Sequence, residues 1–264
     1  MRTCSGNSER RGGGTGKTDL TLIDLRKTIT HLKRYNRRYF RHKAYDLRVR
    51  QRIASQIGRR RLDMKYPGFC EKYRLSREDY LRKIEPFYRE YVETVSSEIM
   101  ASSPELSVFV LFLCDLIQPE RILDLGSGFS SFLFRVHALT AGKQPVIWSV
   151  DDSGEWLART ADFLASHNLP NDHLTTWDTF SENQTERFDF IFYDLGPFPF
   201  RMACLQPMLE KMTADHGVIV LDDMHAAEYG LFVRHALKGT RFRAYDAGCY
   251  TRDHFNRFSM LLTY

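Results

Sequence analysis

"RILDLGSGFSS", residues 121–131, decides the fold. The first five residues read as a buried strand, Gly126-Ser127-Gly128 as a tight turn, and Phe129 onward as the start of a helix. Glycines at that spacing let the chain reverse sharply and let a ligand approach the backbone, and the helix start offers free N–H groups. A purely structural turn accounts for a lone Gly-x-Gly equally well, so the reading has to be built from the neighbouring segments. Downstream the same texture repeats: "PVIWSVDD" (145–152), "HLTTWD" (173–178), "FDFIFYDLG" (188–196) and "GVIVLDD" (217–223) alternate with helical stretches. Strand–helix repeats with β-branched and aromatic strands predict an α/β, doubly wound, Rossmann-like sheet that is parallel and buried. "RFRAYDAG" (241–248) and "RFSMLLTY" (257–264) break the rhythm. With no helix expected between them, they are predicted to pair antiparallel at one edge.

Ligands of such sheets bind beyond the C-terminal strand ends. All five predicted parallel strands finish on acids there: Asp124, Asp151-Asp152, Asp178, Asp194 and Asp222-Asp223. A dinucleotide fingerprint wants a third glycine where Ser131 stands, and a pyrophosphate wants N–H groups and cations rather than carboxylates. Asp151 is placed to accept the hydroxyl protons of a ribose, with Asp152 as the N-cap of the next helix, and Trp177-Asp178 offers a purine a flat face and an acceptor. The pattern suits a nucleoside that carries a positive centre and no phosphate, which favours S-adenosylmethionine over NAD or ATP. "RRGGGTGKTDL" (10–20) imitates a phosphate-binding loop, but Arg11 stands where its first glycine belongs and no apolar strand precedes it.

Residues 103–264, about three-fifths of the chain, resemble the class I S-adenosylmethionine-dependent methyltransferases. "ILDLGSGFSS" is similar to their glycine motif, "WSVDDSGEWL" to their ribose-binding strand end, and "TTWD" to their adenine-contact strand end. The resemblance implies a seven-stranded sheet of order 3-2-1-4-5-7-6, with the last strand antiparallel. It implies that Asp124, Gly126 and Gly128, with Ser127, Phe129 and Ser130 of the same loop, line the methionine part. Asp151 would serve the ribose and Trp177 with Asp178 the adenine, and Asp152 and Asp194 would also contact the cofactor. "SSPELSVFVLFLCDLI", "FDFIFYD" and "GVIVLDDMH" resemble the catechol, caffeoyl-CoA and macrolide-sugar O-methyltransferases, whose metal ligands would fall on Asp194, Asp222 and Asp223. Hard oxygen ligands suit Mg²⁺. The motif after strand four departs from that group, reading Asp194-Leu195-Gly196-Pro197, so a metal-free site stands as the alternative. The reading that follows is an O-methyltransferase acting on a small-molecule hydroxyl, in which Asp194 or His225 is the general base or a metal assists it.

The N-terminal third differs in character. Residues 1–65 hold 19 Lys+Arg against 5 Asp+Glu, a net of +14, which leaves −9 for the rest of the chain. Residues 1–20 read as a disordered tail and 21–65 as a basic helical arm, with Leu25, Ile29, Leu32, Tyr35, Tyr39, Ile53 and Ile57 on its apolar face. That arm fits packing on the acidic body, a second subunit of a homodimer, or a nucleic acid, the last making an RNA methyltransferase the rival function. A catalytically silent protein of the same fold is the third reading. Residues 66–117 read as a helical cap over the acceptor site: a Pro-Gly turn at 66–69, a helix from Ser76 to Ile99, and a second from Ser103-Pro104 to Ile117. Residues 118–264 form the cofactor domain. Five scattered cysteines (Cys4, Cys70, Cys114, Cys204 and Cys249) predict reduced thiols in a cytoplasmic protein without a zinc site. The longest apolar run, "VFVLFLC" (108–114), is too short for a bilayer, and the first residues lack the apolar core of a signal peptide.

Overall fold

The computed structural model describes residues 44–141 and 144–264. The tail at 1–20 and the arm positions Leu25 to Tyr39 lie outside the described residues. Seven strands form one sheet: β1 (Arg121–Leu125), β2 (Val146–Asp151), β3 (Leu174–Thr176), β4 (Phe188–Tyr193), β5 (Thr213–Leu221), β6 (Arg243–Asp246) and β7 (Met260–Thr263). Their order is β3-β2-β1-β4-β5-β7-β6, as expected. Only β7 runs antiparallel, to β5 on one side and β6 on the other. A four-residue helix, Gly248–Thr251, interrupts the predicted direct passage from β6 to β7.

The strands read as unbroken apolar runs because both faces are covered. Alternate residues go to opposite sides: Ile122, Phe190, Phe192, Val218 and Val220 join one core, and Leu123, Ile191, Tyr193, Ile219 and Leu221 the other. The first core is closed by α1 (Ala44–Lys65), α2 (Phe69–Thr94), α3 (Pro104–Ile117), α4 (Phe129–Thr140) and α5 (Gly154–Ser166). The second is closed by α6 (Trp177–Asn183), α7 (Phe198–Pro207), a π-helical turn at Met208–Met212, and α8 (Ala227–Ala236).

Three local expectations are corrected. The second helix begins at Phe69, immediately after Gly68, whose φ of 76° ends the Pro-Gly turn. Ser76 therefore lies inside α2, its hydroxyl donating to the Lys72 carbonyl (2.9 Å). The helix stops at Thr94, so Ile99 belongs to the loop between α2 and α3 and is exposed. By contrast, Ser103 caps α3 as read, its Oγ accepting from the Leu106 N–H (3.2 Å), with Pro104 in the first turn.

On α1, Ile53 and Ile57 are exposed, and the buried stripe is Ser55, Gly58 and Leu62. These positions, three and four apart, share one helix face. That face docks on the end of β6: Ser55 Oγ donates to Asp246 Oδ1 (2.6 Å), and a Cβ on Gly58 would stand 2.2 Å from the Asp246 carbonyl oxygen. The described part of the basic arm thus packs on the body through small residues, leaving Arg52, Arg59, Arg60 and Arg61 outward. The helix α3 is likewise a core element, with every residue from Leu106 to Cys114 buried. The loop before it reaches the strand ends.

Candidate functional site

A cavity of about 500 Å³ opens at the C-terminal ends of β1, β2, β4 and β5. Its floor is the glycine turn. Gly126 adopts φ 103°, and a Cβ there would lie 2.5 Å from the Asp194 carbonyl oxygen, so only glycine lets β1 and β4 close up at this point. The Gly126 N–H donates to the Val150 carbonyl (2.8 Å) and the Asp194 N–H to the Leu125 carbonyl (2.6 Å), which knits three strand ends together. At Gly128 (φ 155°) a Cβ would meet Tyr91 Oη at 2.9 Å. Tyr91 comes from α2 and is held by the Phe129 and Phe163 rings.

Acids on the β1–β2 side are satisfied by neutral donors. Asp124 accepts from Ser130 Oγ (2.8 Å), Ser131 Oγ (2.5 Å) and Ser149 Oγ (3.1 Å). It is wholly buried, and burial pushes its carboxyl up to about 6 despite the serines. Arg135 braces this network, donating to the Ser131 carbonyl, Ser149 Oγ, and the Pro170 and Asp172 carbonyls. Asp151 accepts from the Ser127 N–H (2.8 Å) and Oγ (3.1 Å) with one oxygen and from the Ser153 N–H (3.0 Å) with the other. Burial, with Asp152 adding to it, raises Asp151 to about 6 as well. A carboxylate has about four acceptor positions, so Asp151 keeps one for a ligand. Asp152 is exposed on the rim, beside Gly196. Trp156 forms a flat wall, its Nε1 donating to the Ser127 carbonyl (2.6 Å).

The β4–β5 side is ionic. Arg201, from the first turn of α7, inserts a guanidinium whose side chain is 6% exposed. Its Nη1 donates to Asp223 Oδ2 (3.1 Å), its Nη2 to the Asp194 and Gly196 carbonyls (2.9 and 3.1 Å), and its Nε to the Leu195 carbonyl (3.3 Å). Asp194 Oδ1 lies 2.5 Å from Nη2, yet the N–H bonds of that nitrogen are aimed at carbonyls, and Oδ1 has no aligned hydrogen bond. Burial, opposed by Arg201 and reinforced by Asp223 and Asp222, holds the Asp194 carboxyl well above the usual range. Asp222 Oδ1 accepts from Ser259 Oγ (2.8 Å) and the Asp223 N–H (2.7 Å), and burial with Asp223 beside it raises this group to about 6. Asp223 has a left-handed backbone, φ 58°, uncommon for a residue with a side chain. Arg257 pins the wall above, donating to the Ile99 and Glu98 carbonyls (2.7 and 3.0 Å) and, through Nε, to Asp253 (2.6 Å).

No family model matches the chain, and no curated protein matches it in sequence. Solved structures do. A Podospora anserina methyltransferase, PaMTH1, solved bound to SAH, superposes with a TM-score of 0.53 at 13% identity, over 75% of this chain and 88% of its own. An O-methyltransferase from Bacillus cereus, in complex with SAH, gives 0.52 at 14% identity, over 70% and 89%. The O-methyltransferase TomG of Streptomyces achromogenes, in complex with SAM, gives 0.50 at 18% identity, over 69% and 87%. The fold is that of the class I methyltransferases.

Within this methyltransferase fold the predicted residues divide. Gly126, Ser127, Gly128, Ser130, Asp151, Asp152, Asp194, Asp222 and Asp223 all line the cavity. Asp124 and Phe129 do not: Asp124 turns its carboxylate into the serine network behind the loop, and Phe129 is buried among Tyr88, Tyr91 and Phe132. Trp177 and Asp178 also stand apart. The strand ends one residue before them, so Trp177 points into the second core against Phe180 and Phe200, and Asp178 is exposed. His225 lies outside the lining, its Nδ1 3.5 Å from the Asp223 carboxylate. The expected metal trio is not arranged as one. Among the described residues no group of three or more His, Cys, Asp or Glu is placed to hold an ion, because Arg201 already stands between Asp194 and Asp223.

Among the lining residues that sequence did not single out as site residues are Tyr91, Trp156, Arg201 and Arg257. Trp156 sits in the first turn after the Asp151 strand end, and Arg201 seven residues past Asp194, so helix-start position was a usable signal for both. Nothing local marks Tyr91 or Arg257, which arrive from distant segments.

Proposed function

We propose that the cavity binds S-adenosylmethionine and that the chain transfers its methyl group to a hydroxyl oxygen of a small-molecule acceptor. The residues present suit that cofactor. Gly126 and Gly128 leave room where any side chain would strike Asp194 or Tyr91. The free position on Asp151, together with the exposed Asp152, offers acceptors to two ribose hydroxyls, and Trp156 supplies the flat wall that Trp177 does not. A rim of carboxylates favours a ligand with a positive centre. The volume lies within the range of nucleoside-sized pockets.

When bound, the sulfonium supplies an electrophilic methyl carbon and a neutral leaving group. The chain supplies orientation and a base. The observation that carries the reading is Asp194: a buried carboxylate among the residues lining the cavity, raised in pKa, whose Oδ1 is paired in charge with Arg201 but has no aligned donor. It accepts the acceptor's hydroxyl proton as the oxygen takes the methyl group. Ile99, Met100 and Ala101 make the adjoining wall apolar, which suits an aromatic or otherwise apolar alcohol.

The experiment is transfer of a labelled methyl group to a panel of phenolic and sugar hydroxyls, with RNA as a further acceptor. Asp194→Asn is expected to lower kcat by about 10²- to 10⁴-fold, the usual worth of a general base, with cofactor affinity changed only a few-fold. Full turnover by Asp194→Asn would remove the base assignment, and labelling of RNA alone would replace the acceptor class.

A further inference from the structure

The ionic end of the cavity holds a cation of its own. Three carboxylates, Asp194, Asp222 and Asp223, converge there, and the resemblance in sequence allots them to a divalent metal. The guanidinium of Arg201 takes two of the three, with N···O contacts of 2.5 and 3.1 Å. The third, Asp222, spends Oδ1 on Ser259 and on the Asp223 N–H.

Arg201 is fixed on every side. Its guanidinium lies over the Phe198 and Tyr229 rings (5.3 and 5.6 Å), which stack on each other. Three backbone carbonyls of residues 194–196 accept from it. Its own carbonyl accepts from the Tyr193 hydroxyl (2.6 Å), and its N–H donates to the Pro197 carbonyl (2.9 Å). A magnesium ion needs near-octahedral oxygens at about 2.0–2.1 Å. An ion joining the two oxygens that Arg201 contacts, Asp194 Oδ1 and Asp223 Oδ2, at that distance would have to displace the guanidinium from these bonds while it remains buried.

We infer that Arg201 is the resident cation of this site, filling with a guanidinium the place the sequence allots to a divalent ion, so that the three aspartates bind no metal. Arg201 is then a positioning residue, holding Asp194 and Asp223 where the acceptor must come. This second role rests on the methyltransferase reading above; the first does not.

The test is titration of the full chain with Mn²⁺, followed by the electron paramagnetic resonance signal of the free ion, without cofactor or acceptor. Wild-type protein is expected to leave the free-ion signal as it is in buffer. Arg201→Met and Arg201→Gln, which remove the charge and free the carboxylates, are expected to bind Mn²⁺ at least about tenfold more tightly than wild type. Arg201→Lys, which keeps a cation there, is expected to resemble wild type. Stoichiometric uptake of Mn²⁺ by wild type, abolished by Asp223→Asn, would overturn the inference. So would neutral variants that stay folded by circular dichroism and bind no more Mn²⁺ than wild type. Should both neutral variants fail to fold, the wild-type and Arg201→Lys titrations decide. Because none of these measurements uses cofactor or acceptor, they can fail while methyl transfer is demonstrated, and succeed while it is not.

Discussion

At the β1–β2 end of the cavity, Asp124 and Asp151 are surrounded by hydroxyls and backbone N–H groups. At the β4–β5 end, Asp194 and Asp223 face a guanidinium. Both ends bury carboxylates, but by different means. Neutral donors fix direction: each serine or N–H has one hydrogen and one line of approach, so the first end is a shaped cradle. A guanidinium placed among several acceptors compensates charge while leaving an oxygen, Asp194 Oδ1, without an aligned donor. The first arrangement is suited to holding a ligand in one pose, and the second to keeping a base available.

The largest effect is expected where the two ends touch. Gly126→Ala would drive a Cβ into the Asp194 carbonyl at a backbone angle that disfavours any side chain. It should lower unfolding stability by on the order of 3 kcal/mol, read by urea denaturation. An unchanged midpoint would show that the ends are not packed as described.

Lowering the pH probes both ends together. Asp124, Asp151 and Asp222 are each raised to about 6 by burial, and Asp194 is raised as well, from an ordinary value near 3.8. Between these values the folded protein keeps protons that the unfolded chain releases, so stability is greatest below about pH 4 as far as these groups are concerned. It is lost as pH rises through about 6. A net change on the order of 2 kcal/mol is expected, with the melting temperature at pH 5 above that at pH 7. The opposite slope would mean that donors, not burial, dominate these carboxylates.

A smaller effect isolates the cradle. Ser131→Ala removes one of three hydroxyls from Asp124 and also the hydroxyl that accepts the Gly128 N–H (3.2 Å). A loss of about 1–2 kcal/mol is expected, with Mn²⁺ behaviour at the other end unaltered. Coupling between Ser131→Ala and Arg201→Lys in a double-mutant cycle would contradict the independence of the two ends.

Much of this was legible in the chain itself. The parallel strands announced themselves because strands covered on both faces must be apolar throughout, and the antiparallel end because β6 and β7 lie so close in the chain. The glycine turn and the acids at strand ends are local features, and Gly126, Gly128, Asp151, Asp194, Asp222 and Asp223 were found where they line the cavity. What sequence hid was direction and distance. Asp124 stands at a strand end but turns away from the cavity, and Trp177 belongs to a helix because β3 is only three residues long. On α1 the eye goes to Ile53 and Ile57, whereas contact is made by Ser55 and Gly58, which are small enough to let the helix reach β6. Arg201 carried no motif, and its partners are set by how α7 leaves the strand.

The cavity at Gly126–Gly128 is proposed as a cofactor site. Isothermal titration calorimetry of the full chain with S-adenosylmethionine tests it most directly, with Asp151→Ala alongside. Saturable heat at one site per chain, a raised melting temperature, and binding weakened at least about tenfold in Asp151→Ala are predicted. Absence of heat and of any thermal shift in wild-type protein that is folded would contradict the account, leaving a methyltransferase fold that does not hold the methyl donor.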